Sequence, residues 1–453
     1  MPTITEQDIL NALKVVQDPD LHKDIVALGF VKNIKYCDGN VKFDIELTTP
    51  ACPVKDRLKA EAEAAVKAIP GMKEVNITMT STMRSAPALA QSLLKNVGAI
   101  IAIASGKGGV GKSTVVSNLA VALAKTGARV GLMDADVYGP SMPTMFGITR
   151  MPDSTQDGQL IPLEAHGVKL MSMGFLATKD TPVVWRGPMA TKLVQQFLGS
   201  VAWGALDYLL IDLPPGTGDI QLTLTQSVPL TGAVIVTTPQ DVARTVAQRG
   251  LRMFQQVQVP ILGIVENMSY FSCGHCDEKT YIFSQGGGRK IADELGLPFL
   301  GEVPLDPRVV AGGDAGIPVV AADENSTIAK AFTEITGKLA QQVSIAQHGL
   351  LSEFKPVSIE NDDATYTLRI VWNDGTTTQN RYAEVRNACP CANCVDEWTG
   401  KRRALPIAPS ADLKPLAINP VGRYAIQINW SDGHNTGLYT HERLRELGTP
   451  KAA

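Results

Sequence analysis

The chain has 453 residues, 44% of them hydrophobic, which is enough for two or three domains that each bury a core. Its 42 basic and 45 acidic residues give a net charge of −3 at pH 7, which argues against a general nucleic-acid binder. No apolar run reaches the length that spans a bilayer, and the N-terminus MPTITEQDIL resembles neither a signal peptide nor a transit peptide. We therefore expect a cytoplasmic protein with no membrane partner and no nucleic-acid partner.

Residues 1–82 predict a small α+β domain. The stretch TEQDILNALKVVQD has helical spacing and opens with a capping box from Thr5 to Asp8. NVKFDIELTT alternates like a half-buried strand, VKDRLKAEAEAAVKAI predicts a second helix, and VNITMT predicts a closing strand. Residues 83–96, within STMRSAPALAQSLLKN, then predict a linker.

Residues 97–340 alternate short apolar strands with helical stretches. The predicted strands are AIIAIAS, RVGLMDAD, YLLIDLP, GAVIVTTP and ILGIVENM. This alternation indicates an α/β domain with a doubly wound parallel sheet, whose functional groups lie at the carboxyl ends of the strands. Residues 341–356 predict a second linker. Residues 357–453 predict a mostly β domain, in which WNDG and WSDG mark two turns.

A phosphate-binding loop follows the first of these strands. GKGGVGKST fits G-x-x-x-x-G-K-[ST] between a strand and a helix, the context that supports the motif. Lys112 is expected to reach the β- and γ-phosphates, and the Ser113 hydroxyl to bind Mg²⁺. The residues expected to contact ATP in this loop are Gly106, Lys107, Gly108, Gly109, Val110, Gly111, Lys112, Ser113 and Thr114.

Lys107 gives the loop a second lysine, and in this the segment resembles the deviant Walker A group. That resemblance implies that Lys107 reaches the nucleotide of a partner subunit, that Asp136 orients the attacking water, and that Asn267 contacts adenine. Lys107, Lys112 and Asp136 are thus the expected catalytic residues. Asp212 ends an apolar strand, as a Walker B carboxylate that holds Mg²⁺ would. Asp134 is assigned to the support of the metal shell or of the loop.

The stretch SYFSCGHCDEKTYIF places Cys273 and Cys276 in a C-x-x-C. Two thiolates supply half of the ligands of an iron–sulfur cluster, and a twofold dimer would supply all four. His275 lies between them, and Cys37 is distant in sequence. A redox pair of the thioredoxin kind is the alternative, although such a pair is expected where a strand meets a helix, and this one lies in a loop.

The central domain resembles the Mrp/Nbp35 family of iron–sulfur cluster carrier ATPases. The resemblance rests on GKGGVGKST, DADVYGPSMP, WRGPM, DLPPGTGD, TTPQDVA and ENMSYFSCGHC. It implies a homodimer that binds a labile [4Fe–4S] cluster through Cys273 and Cys276 at the subunit interface. The cluster would come from upstream scaffolds and pass to apo-protein clients, with ATP hydrolysis coupled to the transfer. No arginine finger is identifiable in the sequence, so slow turnover is expected.

The N-terminal domain resembles the MIP18-like (DUF59) domains of iron–sulfur assembly factors, with LTTPACP as the closest stretch. Its Cys52 is either a transient ligand or docking point, or a small buried side chain. Cys37 is interpreted as structural.

The C-terminal domain carries C-x-C-x-x-C, formed by Cys389, Cys391 and Cys394, and His434 could complete a Cys₃His zinc site. The segment resembles DUF971 domains, and the N-terminal domain of γ-butyrobetaine hydroxylase binds zinc with a similar set. Cluster ligation by the same thiols is the alternative. His441 is a second candidate for the fourth ligand, but its place at a helix start favours a surface role.

Two other functions share the deviant loop. A MinD/ParA-like positioning ATPase would need an amphipathic membrane helix or a basic patch, and neither is evident in the sequence. An electron-transfer protein like the nitrogenase iron protein would retain its cluster stably. The three-domain order also occurs in plastids, so the plastid stroma is the alternative to a bacterial cytoplasm if the chain is a mature plastid protein.

Overall fold

The computed structural model describes most of the chain. The described residues are 4–19, 23–81, 94, 96–137, 139–176, 187–216, 219–240, 250–257, 259–272, 278–352, 356–389, 391, 394–395, 402–403, 405–408, 412–421 and 425–450. The predicted linker 83–96 lies almost wholly outside these ranges. Within them, no helix combines the length and the apolar character that a membrane crossing requires.

The N-terminal domain packs two helices on a small sheet. Its elements are α1 (Glu6–Leu13), β1 (Gln17–Asp18), β2 (Lys23–Asp24), β3 (Val31–Cys37), β4 (Asn40–Leu47), α2 (Lys55–Lys67) and β5 (Glu74–Ser81). The capping box is confirmed, because the Asp8 amide donates to the Thr5 hydroxyl and the Thr5 amide donates to the Asp8 carboxylate. Strand β4 pairs antiparallel with β3 and parallel with β5, and the apolar faces of both helices are buried against this sheet.

The central domain alternates strands and helices, as predicted. Its strands are β6 (Val97–Ala104), β7 (Val130–Asp134), β8 (Leu163–Ala165), β9 (Val168–Ser172), β10 (Leu206–Asp212), β11 (Gly232–Thr237), β12 (Ile261–Ser272), β13 (Lys279–Thr280) and β14 (Phe299–Leu305). Its helices are α3 (Lys112–Lys125), α4 (Met142–Met145), α5 (Gly187–Gly199), α6 (Asp219–Ser227), α7 (Gly287–Leu295), α8 (Pro307–Asp314), α9 (Val319–Ala322) and α10 (Thr327–Ser352).

These strands form one sheet in the order β13-β12-β11-β6-β10-β7-β9-β8, and β14 pairs with β12. The pairs from β14 to β9 are parallel, whereas β8 and β13 run antiparallel to their neighbours. One apolar core lies under α3 and α10, and a second lies on the other face under α5 and α6. The doubly wound parallel sheet is therefore confirmed, and β6, β7, β10 and β12 point their carboxyl ends toward one edge.

The predicted linker 341–356 requires a correction. Helix α10 continues to Ser352, and Val343 is fully buried in its later turns. The apolar spacing of the helix persists beyond residue 340, so these turns pack on the sheet instead of leaving it. Only the last residues before Pro356, where β15 begins, lie outside a described element.

Helix α10 and β10 also contact the N-terminal domain. The Thr48 and Ser344 hydroxyls are 2.7 Å apart, and the buried Thr49 hydroxyl bonds the Tyr208 hydroxyl. Ala51 belongs to the apolar core under α10. The stretch LTTPACP thus docks on the central domain at the start of β10.

The C-terminal domain is mostly β, as predicted. Its elements are β15 (Pro356–Asp362), β16 (Thr367–Trp372), β17 (Thr377–Arg381), α11 (Tyr382–Asn387), β18 (Pro415–Val421), β19 (Ala425–Trp430), β20 (Leu438–Thr440), α12 (His441–Leu447) and β21 (Thr449–Pro450). Each W-x-D-G stretch ends a strand in a tight turn, with φ of +82° at Gly375 and +84° at Gly433. The Trp372 amide donates to the Thr376 carbonyl, and the Trp430 amide donates in the same way to the His434 carbonyl. The second turn therefore fixes the position of His434.

Candidate functional site

The phosphate-binding loop joins β6 to α3, as its spacing predicts. Gly109 and Gly111 have φ of +79° and +74°, a backbone region that favours glycine. A Cβ atom on Gly111 would lie 2.2 Å from Nδ2 of Asn267, so only glycine fits there. The Asn267 Nδ2 donates to the Val110 carbonyl at 2.8 Å. The last turn of the loop is thus held against β12.

Lys112, Ser113 and Asp212 form a buried cluster at the start of α3. Asp212 is fully buried at the carboxyl end of β10, and Lys112 is 6% exposed. The Ser113 hydroxyl donates to Asp212 Oδ2 at 2.6 Å, and the Lys112 ammonium donates to Oδ1. Burial raises the pKa of Asp212, and the bonds from Lys112 and Ser113 oppose that rise. The cluster therefore brings together the lysine, hydroxyl and carboxylate that ATP and Mg²⁺ binding require.

Asp134 supports the loop that carries Asp136. Its carboxylate accepts from the Asp136 amide at 3.1 Å, from the Ser172 hydroxyl at 2.9 Å and from the Met142 amide at 3.4 Å. Burial, and next to it the charge of Asp212, raises the pKa of Asp134 to about 7. Asp136 is half-buried, and its own carboxylate accepts from the Gly139 amide at 3.2 Å. Of the two roles considered for Asp134, these contacts favour support of the loop.

A cavity of 270 Å³ lies over the phosphate-binding loop, and Asp136 lines its side. Lys107 lines the same cavity and is exposed. Ser141 was not singled out from the sequence. Its hydroxyl is buried at the cavity wall and makes no hydrogen bond with the described residues. An unsatisfied buried hydroxyl beside a glycine cradle fits a polar ligand such as a nucleotide phosphate.

Strand β12 contacts the phosphate-binding loop through Asn267 and continues to Ser272, directly before the C-x-x-C in sequence. Beyond Asn267 it pairs with β13, where Phe271 faces Thr280. Cys273, His275 and Cys276 lie outside the described residues. On either side of them, large apolar side chains are exposed to solvent, the most exposed being Ile282 at 54%. These side chains are Phe271, Tyr281, Ile282 and Phe283, named here the hairpin patch.

The two N-terminal cysteines differ in their surroundings. Cys37 ends β3 and is exposed, so it is not part of a buried core. Cys52 is half-buried and packs on the N-terminal core. The pKa of the Tyr208 phenol is raised mainly by its burial, with smaller contributions from Asp207 and Cys52, so Cys52 lies close to that side chain. Cys52 therefore lies at the contact between the N-terminal and central domains.

The C-terminal cysteines and His434 converge on one point. The ligand atoms of Cys389, Cys391, Cys394 and His434 all lie within 4.8 Å of one another. The His434 Nε2 is 3.1, 3.6 and 3.9 Å from the sulfurs of Cys389, Cys391 and Cys394. A tetrahedral zinc ion with Zn–S bonds of about 2.3 Å places its ligand atoms about 3.5–3.8 Å apart. The spacing fits one ion, whereas a four-iron cluster would hold its ligands further apart.

Among the described residues, two of the three sulfurs also receive a hydrogen bond from a side chain. Arg386 donates to Cys394 at 3.3 Å, and Thr436 donates to Cys391 at 3.3 Å. Arg386 also bonds Asp432 at 2.9 Å, and Asp432 accepts from the His434 amide at 3.0 Å. Donors of this kind orient metal ligands and offset their negative charge. No motif in the sequence marks these donors.

His441 needs a correction. The sequence favoured a surface role for it, but it is buried at the start of α12, where its ring packs inside the domain. The group of converging ligands contains His434 and not His441. Burial, together with the charge of Arg386, lowers the pKa of His434 below its ordinary value, which favours the neutral ring that binds metals.

The parallel sheet, the phosphate-binding loop and the Lys112–Asp212 cluster define a P-loop NTPase. Comparison with known proteins agrees. Residues 96–340 match the family described as NUBPL iron-transfer P-loop NTPase. Residues 6–79 match the iron–sulfur cluster assembly protein family, and residues 359–445 match the γ-butyrobetaine hydroxylase-like N-terminal family. The chain belongs to the NUBPL iron-transfer P-loop NTPase family.

Curated relatives cover most of the chain. It is 50% identical to the iron–sulfur cluster carrier protein of Synechocystis, an alignment that spans 76% of this chain and 99% of that protein. It is 42% identical to the chloroplastic Fe–S cluster assembly factor HCF101 of Arabidopsis thaliana, across 98% of this chain and 83% of that protein. Among solved structures, a nucleotide-binding protein from Archaeoglobus fulgidus in complex with ADP is 41% identical. It covers 51% of this chain and 92% of its own, with a TM-score of 0.45.

Proposed function

We propose that this protein is an ATP-dependent carrier of iron–sulfur clusters. It binds a [4Fe–4S] cluster between two copies of the chain through Cys273 and Cys276, and transfers it to apo-proteins. The observation that carries the proposal is the path of β12, which contacts the phosphate-binding loop through Asn267 and leads directly into the cysteine pair. The names of the relatives support it, since they are cluster carriers and a cluster assembly factor.

The residues of the phosphate-binding site fit ATP and Mg²⁺. Ser113 and Asp212 would hold the metal ion, which neutralises phosphate charge when bound. In the present geometry Lys112 and Ser113 both bond Asp212, so nucleotide binding requires the Lys112 ammonium to turn from this carboxylate to the phosphates. Asp136 would orient the attacking water, and Asn267 would contact adenine. We expect slow hydrolysis, because no group that acts as an arginine finger is identified among the described residues.

Two features support a homodimer. The hairpin patch exposes four large apolar side chains beside the cysteine segment, and an exposed apolar cluster of this kind is typical of an interaction site. Lys107 is exposed at the cavity over the phosphate-binding loop, and on this proposal it turns outward to the nucleotide of the partner subunit. Two copies of the cysteine pair would then provide the four thiolates that a cubane needs.

The test is the content of iron, sulfide and zinc in the chain purified without oxygen. We expect about two irons per chain, the share of a four-iron cluster held by two subunits. A double Cys273→Ala, Cys276→Ala variant should lose the iron, and a matched Cys37→Ala, Cys52→Ala variant should keep it. Transfer is then measured as activation of an apo-protein that needs a [4Fe–4S] cluster.

The possible outcomes separate the competing functions. If the Cys273, Cys276 variant keeps its iron, the C-terminal cysteines are the ligands of the cluster. No iron in any form, even after reconstitution, would refute the carrier and favour a positioning ATPase. A cluster that stays bound in the presence of apo-protein, while electrons pass to an acceptor during ATP turnover, would favour an electron-transfer protein.

We propose a second, separate metal site in the C-terminal domain, a zinc ion held by Cys389, Cys391, Cys394 and His434. Its support is the convergence of the four ligand atoms within 4.8 Å. With all four positions filled by the protein, the ion would be structural. The same metal analysis tests it: about one zinc per chain should remain when the Cys273, Cys276 variant has lost its iron.

We place this activity in the bacterial cytoplasm or, for a chain of the plastid type, in the stroma, because the relatives include both bacterial and chloroplastic proteins. The partners are a second copy of the chain, upstream scaffolds and apo-protein clients, without a role for nucleic acid or membrane.

A further inference from the structure

Glu266 is a buried carboxylate that the proposed reaction does not use. It lies on β12 directly before Asn267 and is 0% exposed. Within the described part of the chain, no salt bridge involves it. A buried carboxylate is costly unless hydrogen bonds satisfy it, so its donors are informative.

Two donors, one on each side of the cysteine segment, satisfy Glu266. The Ser269 hydroxyl donates to Oε1 at 2.5 Å, and Ser269 is itself fully buried. The Gly288 amide, in the first turn of α7, donates to Oε2. The positive end of a helix favours a carboxylate at this position. Ser269 precedes Cys273 and Gly288 follows Cys276, so one side chain fixes both ends of the segment between them.

The packing around Gly287 and Gly288 is close, so the Gly288 amide reaches Glu266 but a larger side chain at either glycine would be crowded. A Cβ atom on Gly287 would lie 2.4 Å from the Pro239 carbonyl, and one on Gly288 would lie 3.0 Å from Cβ of Glu266. The glycines of SQGGGRK therefore let the start of α7 abut the ends of β11 and β12.

The strand also changes direction between Glu266 and the cysteines. Met268 has a φ of +55°, which is unfavourable for a methionine. The pairing of β12 with β14 shifts register between Asn267 and Phe271. Asn267 holds one side of this bend to the Val110 carbonyl, and the Glu266–Ser269 bond holds the other. A strained conformation of this kind persists only where its surroundings fix it.

We infer that Glu266 is a positioning residue, which fixes both ends of the cysteine-bearing segment and joins them to the bend that contacts the phosphate-binding loop. This inference rests on the proposed function. Through Glu266, a change in the phosphate-binding loop alters the direction in which the cysteine segment leaves the sheet. Cluster retention should then depend on the nucleotide, and the dependence should require Glu266.

The experiment compares full-length wild type with Glu266→Ala and Glu266→Gln, each reconstituted with a cluster. Glutamine can accept from the Gly288 amide and donate to the Ser269 hydroxyl, so it preserves both bonds. The measured quantity is the rate of iron release to a chelator, without nucleotide and with ADP or a non-hydrolysable ATP analogue. Hydrogen exchange of peptides covering residues 269–288, measured without a cluster, reports the positioning directly. Asn118→Ala, which removes two hydrogen bonds of another buried side chain in the same domain, is the matched control.

We expect Glu266→Ala, which loses both hydrogen bonds, to release iron at least about tenfold faster than wild type and to lose the nucleotide dependence. Its hydrogen exchange should rise within residues 269–288. Glu266→Gln and Asn118→Ala should both match wild type in these two readouts. If Glu266→Ala does not fold, Ser269→Ala replaces it, and faster release is again the expected result.

A folded Glu266→Ala with the release rate of wild type would overturn the inference, as would Glu266→Gln with a defect as large as that of alanine. An unchanged rate in Ser269→Ala would do the same where alanine at 266 does not fold. Wild type that binds a cluster but releases it at one rate with and without nucleotide would also contradict it. Wild type that binds no iron at all would instead refute the proposed function, so the two failures are distinguishable.

Discussion

Replacing Asp134 by asparagine tests how a buried carboxylate shapes the stability of the nucleotide-free central domain. Asp134 is 1% exposed, and the charge that acts on it is that of Asp212, which is itself paired with Lys112. Burial and the charge of Asp212 raise its pKa from 3.8 to about 7. Asparagine has the shape of the protonated acid and cannot ionise, so it removes the titration while it keeps the bond to the Asp136 amide.

The sign follows from the direction of the shift. Because the pKa is higher in the folded state than in the unfolded chain, the stabilisation from the protonated form is complete below about pH 4 and is lost as the pH rises through about 7. The rise of the pKa from 3.8 to about 7 corresponds to at most about 4 kcal/mol. Asparagine loses the bond from the Met142 amide, because its NH2 group cannot accept, and this costs about 1 kcal/mol. We therefore expect the variant to be more stable than wild type by about 2–3 kcal/mol at pH 8.

The assay is calorimetric unfolding of both proteins, free of nucleotide and Mg²⁺, between pH 4 and 8.5. The difference in melting temperature of the central domain should grow with pH between about 4 and 7 and level off above the pKa of Asp134. Asp207→Asn is a control of opposite sign, because bonds from Arg129 outweigh burial and lower the pKa of Asp207. It should lose stability at neutral pH. Parallel pH profiles for wild type and Asp134→Asn, or a less stable variant at pH 8, would refute the reasoning.

Three further predictions concern the two sites. Removal of the C-terminal metal by a zinc chelator, or by Cys389→Ser, should lower the unfolding temperature of that domain in calorimetry and leave nucleotide binding unchanged; a loss of nucleotide affinity would contradict a separate structural site. Gly111→Ala should reduce nucleotide affinity about tenfold or more in titration calorimetry, since strain of about 1–3 kcal/mol adds to the displacement of Asn267. Gly127→Ala, with φ of +88° and open space around it, is its control and should bind as wild type does. Ser141→Ala should weaken ATP binding about three- to tenfold, the worth of one hydrogen bond, and unchanged affinity would show that the hydroxyl does not contact the nucleotide.

The central fold was predictable because its signals are local. Each buried parallel strand is a short apolar run, and the phosphate-binding loop is one contiguous motif between a strand and a helix. The strand ends therefore placed Asp212 and Asp136 at the correct edge of the sheet. The later turns of α10 were missed because their polar surface resembles a linker, although Val343 continues the apolar spacing of the helix.

Residues that act through contacts distant in sequence were harder to identify. Glu266 and Arg386 look like ordinary charged side chains in the sequence, and only the fold shows that each satisfies groups on two separate segments. His434 was predictable because histidine is an ordinary zinc ligand, yet the choice between it and His441 depended on the turn after β19. The burial of His441 depends on the packing of α12, which the sequence does not reveal.

The two groups of cysteines differ in a way that separates a permanent site from a transfer site. The C-terminal group has four ligands within one chain, and two of its sulfurs receive hydrogen bonds from described side chains, which favours an ion that stays bound. The central C-x-x-C offers only two sulfurs per chain, so on the proposed function its cluster depends on a second copy. In the proposed dimer, separation of the copies would remove half of the ligands at once, and the exposed hairpin patch and Lys107 would lie on the surfaces that separate. On this proposal a cargo that must leave is held by an interface, whereas an ion that must stay is enclosed by one domain.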